Sequence, residues 1–361
     1  MANGRPILWR AAVVWAIAAF GGCADRGNDG PLTVNGVVGE IGVAPGQFSY
    51  PRAIDASMGW MVVIDKTARV QRLDARTGEF LGGFRMPELD LGKPTGVTIG
   101  SHPFDAGRQV LYIADTHYHR VMVYDVPSDS REDPRVPREP LLSFGSYGTG
   151  DGQFVYLTDV APLLDEHGAV TRLYVTEYGG NDRISVWDVA EGEIRFSFAF
   201  GRFGDGRGVV GTREVEFQRP QSIEIDHARR EIVMTDTCSH RVGRFTLEGE
   251  LIAWIGDDAG EATFAYPQGL VLLEGGRALV VEFLGNRVQI VDLESGASLG
   301  SHGTAGRMVG ELASPWGVAI NGREVLVLDS GNNRVQRTGI SARRLNPPWA
   351  FGEARASRSV P

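Results

Sequence analysis

One short pattern recurs six times along the 361 residues, and a chain made of six similar units has few ways to fold. The pattern is an aromatic or polar residue, Pro, any residue, a small residue, then an aliphatic one. Its copies are Tyr50-Pro51-Arg52-Ala53-Ile54, Lys93-Pro94-Thr95-Gly96-Val97, Tyr156-Leu157-Thr158-Asp159-Val160, Arg219-Pro220-Gln221-Ser222-Ile223, Tyr266-Pro267-Gln268-Gly269-Leu270 and Ser314-Pro315-Trp316-Gly317-Val318. Only the third lacks its Pro. After each copy an acidic residue closes an apolar run, and four to six residues later an Arg opens an alternating one: Asp65/Arg69, Asp115/Arg120, Glu177/Arg183, Asp236/Arg241, Glu282/Arg287 and Asp329/Arg334. A turn glycine before a further apolar stretch recurs at Gly78, Gly192, Gly249 and Gly296.

Each unit therefore reads as four short strands, with turns supplied from 48 Gly and 18 Pro. One four-stranded sheet cannot bury both of its faces, whereas six stacked around an axis bury them against each other. The expectation is an all-β chain, a six-bladed β-propeller of four-stranded antiparallel blades over residues 36–352, with residues 353–361 as a polar tail. Closing the ring needs a fourth strand for the last unit. Residues 33–39 are favoured for it, with Trp349-Ala350-Phe351 as the alternative.

Units such as GQFSYPRAIDA followed by VVIDKTARVQRLD, and SPWGVAI followed by VLVLDSGNNRVQR, resemble NHL repeats. The resemblance implies the propeller fold and leaves function open, because such propellers serve as ligand-binding modules, as protein or RNA platforms, and as lyases or hydrolases. Several enzymes on similar propellers, the amidating lyases among those with NHL-like blades, imply a Ca²⁺ or Zn²⁺ at the channel mouth.

The first residues have another character. Arg5 and Arg10 precede an apolar run from Ala11 to Phe20, too short to span a bilayer, and small residues lead to Cys23. Phe20-Gly21-Gly22-Cys23 resembles a bacterial lipobox. The expectation is a lipoprotein-type signal peptide over residues 1–22, lipidation at Cys23, a tether over residues 23–35, and an exported lipoprotein anchored in the bacterial cell envelope. An ordinary secretory peptide cut nearby is the alternative. With Cys23 lipidated, Cys238 has no partner for an intramolecular disulfide.

The net charge of −9, with 36 Lys and Arg against 45 Asp and Glu, gives no basic stripe for a nucleic-acid backbone. Nucleic acid is excluded as a partner on that ground, the membrane is met through the lipid alone, and the chain is expected to be a monomer.

Because the acid/Arg pair recurs in every unit, its explanation must be structural: a charge-assisted brace across the turn between strands two and three. His119 and His240, each just before such an Arg, are read as turn residues. In a propeller the Pro motifs and these turns share one face. The residues after the motif Pro, Arg52, Thr95, Thr158, Gln221, Gln268 and Trp316, should ring the channel mouth there. Asp159, His117, Tyr118 and Tyr178 are irregular additions to that ring, and Cys238 lies in the same kind of turn.

The repeat spacings of 43, 63, 63, 47 and 48 place extra residues in units two and three. Residues 102–108, 127–140 and 163–171 should therefore lengthen loops on the opposite face, and residues 127–140 read as a solvated loop before a docking surface. One mouth-side His is too few for zinc, and Asp159, with oxygens from Thr158, Gln221 and Gln268, is the candidate site should Ca²⁺ bind. The function expected is a non-catalytic propeller binding a small ligand or protein in the envelope, without a cofactor. The alternative is a metal-dependent lyase or hydrolase working at the channel mouth.

Overall fold

The computed structural model describes residues 30–256, 261–342 and 344. Six four-stranded antiparallel sheets follow one another around an axis. The first is Pro51–Ser57, Trp60–Asp65, Arg69–Asp74 and Phe80–Arg85, and the remaining five repeat its order outward from the axis. Each first strand contacts the first strands of both neighbours, so the innermost strands form a closed ring.

The ring closes through the beginning of the chain. Val34–Val38 pairs antiparallel with Arg334–Ser341 and is the outer strand of the sixth blade. Leu32 is buried between the fifth and sixth blades, so the last residues of the expected tether, from Leu32 on, belong to the propeller. The expected signal peptide, Cys23 and the polar tail lie outside the described residues.

Six apolar clusters occupy the six interfaces between blades; one joins Val62 and Ile64 of blade one to Ile113 and Tyr124 of blade two. A buried plug residue seals five of these interfaces at the mouth face: Phe48, Phe154, Phe217, Phe264 and Leu312. The glycine content follows in part from these plugs. Gly39, Gly145, Gly201, Gly256 and Gly303 all have positive φ, and a Cβ on any of them would sit within 3.0 Å of the next plug or of neighbouring backbone.

All six acid/Arg pairs form as ion pairs, with N···O distances of 2.6 to 3.0 Å in five and a closer contact at Asp65/Arg69. Their reach exceeds the turn. In five blades the same carboxylate accepts the backbone N–H of the residue after the plug or its equivalent: Ser49, Val155, Gln218, Ala265 and Ala313. The Arg donates to carbonyls of the loop arriving from the preceding blade, as Arg241 does to Glu216 and Arg334 to Glu311. The expectation of a brace confined to its own turn is corrected in the same way at Arg287. Its Nε donates to Glu282 at 2.7 Å, while Nη2 donates to Thr263 O at 2.9 Å, in the connection from blade four. The repeat thus encodes a clamp holding blade to blade, because a guanidinium has donors left over after one carboxylate is met. Removing one partner costs about 3–5 kcal/mol where the pair is fully buried, as at Arg69 and Arg241. The cost is smaller at Arg287, whose side chain stays 19% exposed and can be replaced at Glu282 by water.

The extra residues of units two and three are more ordered than loops. Residues 102–108 and 163–171 mostly lengthen hairpins, giving Gly96–His102 with Asp105–Asp115 and Tyr156–Leu164 with Val170–Tyr178. Residues 127–140 form a loop with half of its residues exposed, and part of it folds back on the outer strand of blade one. Arg85 N–H donates to Val136 O at 2.8 Å, Arg138 N–H donates to Arg85 O at 3.0 Å, and Arg138 lies 4.6 Å from the Phe84 ring centroid. An edge strand left open is a template for aggregation, and this segment covers part of one.

Candidate channel-mouth site

The six residues that follow the motif position line one axial cavity of ≈ 60 Å³, with Asp159 in its wall. They divide by chemistry. Thr158 donates its hydroxyl to Pro220 O of the next blade at 2.9 Å, and Thr95 shares a 2.8 Å hydrogen bond with Thr116. Both threonines are buried and already engaged, so they stitch blades together instead of facing a ligand. The other four each keep a polar atom that is buried and unpartnered: Arg52 Nε, Gln221 Oε1, Gln268 Nε2 and Trp316 Nε1. Buried polar groups are nearly always satisfied, so four without a protein partner around one rim mark a place where water or a ligand meets them.

Aromatic rings bank these groups. The Arg52 guanidinium lies 4.9 Å from the Trp316 ring centroid and 5.6 Å from that of Tyr50. Across the mouth, Arg219 lies 4.9 Å from the Tyr178 centroid, and its Nε is likewise buried and unpartnered. Tyr178 stacks on Tyr156 with centroids 5.4 Å apart. Burial, with a smaller contribution from Arg219, lowers the Arg52 pKa. Arg219 was not singled out by its pattern position, because it stands before the motif Pro, where Tyr, Lys and Ser also occur.

Of the other rim candidates, His117 and Tyr118 do not line the cavity, and Asp159 lines it with its carboxylate already engaged. His117 Nδ1 accepts the Lys93 N–H at 3.1 Å, and Tyr118 Oη accepts the Leu91 N–H at 3.1 Å, so both brace the loop from blade one to blade two. Burial lowers the His117 pKa, with Arg52 among the lesser causes, which favours the neutral ring. Asp159 uses both carboxylate oxygens: Oδ1 accepts Val160 N–H at 3.0 Å, while Oδ2 accepts the Ser222 hydroxyl at 3.1 Å and Ile223 N–H at 3.2 Å. Burial pushes its carboxyl up to about 7. A carboxyl so enclosed and so ready to hold a proton does not suit Ca²⁺, which needs ionised, available oxygens. Among the described residues no three His, Cys, Asp or Glu side chains are grouped to hold a metal ion.

His119 and His240 occupy the left-handed turn position, at φ 59° and 57°, which Asn333 fills at 57°. The position carries an interblade latch that the sequence pattern does not reveal. His240 Nδ1 accepts the N–H of Tyr266, Asn286 Oδ1 that of Ser314, Asn333 Oδ1 that of Tyr50, and Asp182 Oδ2 that of Arg219. With His240 committed in this way and burial raising the Cys238 thiol pKa, the two are not a nucleophile and its base.

Deeper in the channel stands a second set of charges. Arg344 pairs with Asp55 at 2.7 Å and with Glu224 at 2.9 Å. These acids each stand four residues after their motif Pro, in blades one and four, and so share one depth on opposite sides of the axis. Arg344 lines both the mouth cavity and a second one of ≈ 40 Å³ beyond it, and divides the channel between them. It enters from the far face, where Ser341 ends the last strand.

The NHL repeat family matches residues 312–337, which run from the plug of the sixth blade through its third strand. No curated protein matches the chain. Among solved structures the fold is similar to a structural genomics protein of unknown function from Bacteroides thetaiotaomicron VPI-5482, with TM-score 0.56 and 17% identity over 85% of this chain and 73% of that one. It is also similar to a streptogramin B lyase, with TM-score 0.54 and 15% identity over 84% of this chain and 97% of that one. At such identities the likeness is one of fold. The NHL match lies in the sixth blade and the other five repeat its plan, so the chain is a six-bladed β-propeller that carries an NHL repeat.

Proposed function

We propose that this propeller is a non-catalytic binding module of the cell envelope, held at a membrane through a lipid on Cys23 and engaging its ligand or protein partner at the channel mouth. The observation that carries this reading is the set of buried, unpartnered polar atoms on Arg52, Gln221, Gln268 and Trp316, converging on one cavity between aromatic rings. A cavity of ≈ 60 Å³ has room for about two waters. A ligand therefore rests on the rim, reaching in with little more than one group.

Likeness to the lyase raises a second reading, a metal-dependent lyase or hydrolase with its site at the same mouth. The enclosed carboxylate of Asp159 and the engaged ring of His117 support the first reading over the second.

Two measurements test the proposal. Elemental analysis of chain purified without chelator, with melting followed before and after EDTA, should show no stoichiometric metal and no shift; bound Ca²⁺ or Zn²⁺ whose removal lowers the melt would overturn it. Small molecules that raise the melting temperature of the unaltered chain should lose that effect in Trp316→Ala and in Gln221→Ala/Gln268→Ala. Stabilisation left intact by both variants would place the site elsewhere.

A further inference from the structure

Arginine in the interior of this protein is almost always matched to acid. The six bracing residues are paired, Arg244 meets Glu231, Arg337 meets Glu324, and Arg344 meets both Asp55 and Glu224. Arg72 and Arg85, away from the mouth, also lack an acid; Arg52 and Arg219 are the two at the mouth that depart from that rule. Each is half-buried against an aromatic face, and neither side chain makes a hydrogen bond or an ion pair among the described residues. They rise from blades one and four, which oppose each other across the mouth, and they are near enough to act on one another electrostatically.

Stacking fixes the plane of a guanidinium and leaves its in-plane N–H fork unspent. That fork matches the paired oxygens of a carboxylate or a phosphate. Trp316 Nε1 and Gln268 Nε2 add two more unpartnered donors on the same rim, and Gln221 Oε1 adds one acceptor.

The acids nearby do not compete for the forks. Asp182 accepts the N–H groups of Gly179, Gly180 and Arg219, and Asp159 lies in the channel wall with both oxygens engaged. Resting on the mouth reading above, we propose that the mouth is an anion site. Its ligand is an organic oxyanion, a carboxylate or a phosphate ester on a flat apolar body, with the charged head held by Arg52 and Arg219 and the body lying on Trp316 and Tyr178. The small cavity below admits the head at most, so the body stays outside.

Calorimetric titration of the full chain with benzoate, phenyl phosphate, inorganic phosphate and benzylamine tests the proposal. Benzoate or phenyl phosphate should bind one to one, the tighter of the two naming the head group. Inorganic phosphate should bind more weakly, benzylamine should give no heat, and added NaCl should weaken the anions. Arg52→Gln and Arg219→Gln should each weaken binding roughly tenfold, with Arg52→Lys retaining part of it. Neither arginine is paired, so both variants should melt with the parent chain, and their melts are measured alongside. The anion site is overturned if no anionic probe binds, or if the Gln variants bind the anions like the parent. Benzylamine binding that is lost in Trp316→Ala would overturn the anion site while leaving the mouth as the binding face; probe binding indifferent to Trp316→Ala and to both Gln variants would overturn both readings.

Discussion

Asp159 shows how far the surroundings of one side chain decide its role. By composition it is a carboxylate at a wet channel mouth, a natural metal ligand; by position it ties the first strand of blade three to that of blade four through Ser222 and Ile223. Its raised pKa has a consequence of definite sign. The folded chain holds a proton there up to about pH 7, whereas the unfolded chain releases it near 3.8, so the folded state binds more protons in between. The stability this group contributes is full below about pH 4 and is lost as pH rises through 7. Asp159→Asn should therefore flatten the fall in melting temperature between pH 5 and 8, and a fall of unchanged steepness would show that the carboxyl is not the source. The pattern of residues did place Asp159 at the channel, as it did Arg52, Gln221, Gln268 and Trp316, because a fixed offset from the motif Pro sets the direction of a side chain. It could not say which of these were already engaged. That depends on the neighbouring blade, and it separates Thr95 and Thr158 from the four that remain unpartnered.

At the scale of elements, the strand Val34–Val38 closes the ring without belonging to any repeat of the pattern. It covers the outer edge of Arg334–Ser341 and carries Val38 into the interface between blades six and one, while Leu32 just before it fills the one between five and six. Burying two such side chains contributes about 2 kcal/mol each, and the strand pairing adds to it. A chain starting at residue 40 should melt well below the parent and show larger species by size-exclusion chromatography, since a bare edge pairs with another copy. An unchanged melt and a monomeric elution would mean the closure is dispensable. Blade number and strand order were legible in the sequence because they repeat six times. The acid/Arg pairs were legible for the same reason, but not the second bond of each Arg, since the carbonyl it meets, Thr263 O for Arg287, belongs to a residue of no fixed type. The latch of His240, Asn286, Asn333 and Asp182 was not legible either, because one geometric task is performed by different side chains and leaves no shared letter. The contact of residues 127–140 with blade one was not legible for a related reason. Proline and charge suit a solvated loop, yet backbone hydrogen bonds to Arg85 need no particular side chain.

Across the whole molecule, charge is arranged in two tiers along one axis, unpartnered arginines at the mouth and an acid–arginine–acid bridge below them. Arg344→Gln would leave Asp55 and Glu224 facing each other through the channel. Burial already raises the Glu224 pKa against the pull of Arg344, so removing the arginine should raise it further. The variant should be destabilised by about 2 kcal/mol near pH 8 and by less at pH 5, where the raised Glu224 carboxyl more readily takes up a proton, as chemical unfolding at the two values would read. Equal losses at both would deny the bridge its electrostatic role. The ring closure also sets an order of events. A polypeptide is made from its amino end, but the strand at residues 34–38 cannot pair until residues 334–341 exist, and Asp55 and Glu224 have no arginine between them until Arg344 follows. Blades one to five can assemble as they are made, each on the one before, while the sixth must wait for residues 334–341 before its outer strand can pair and the ring can close.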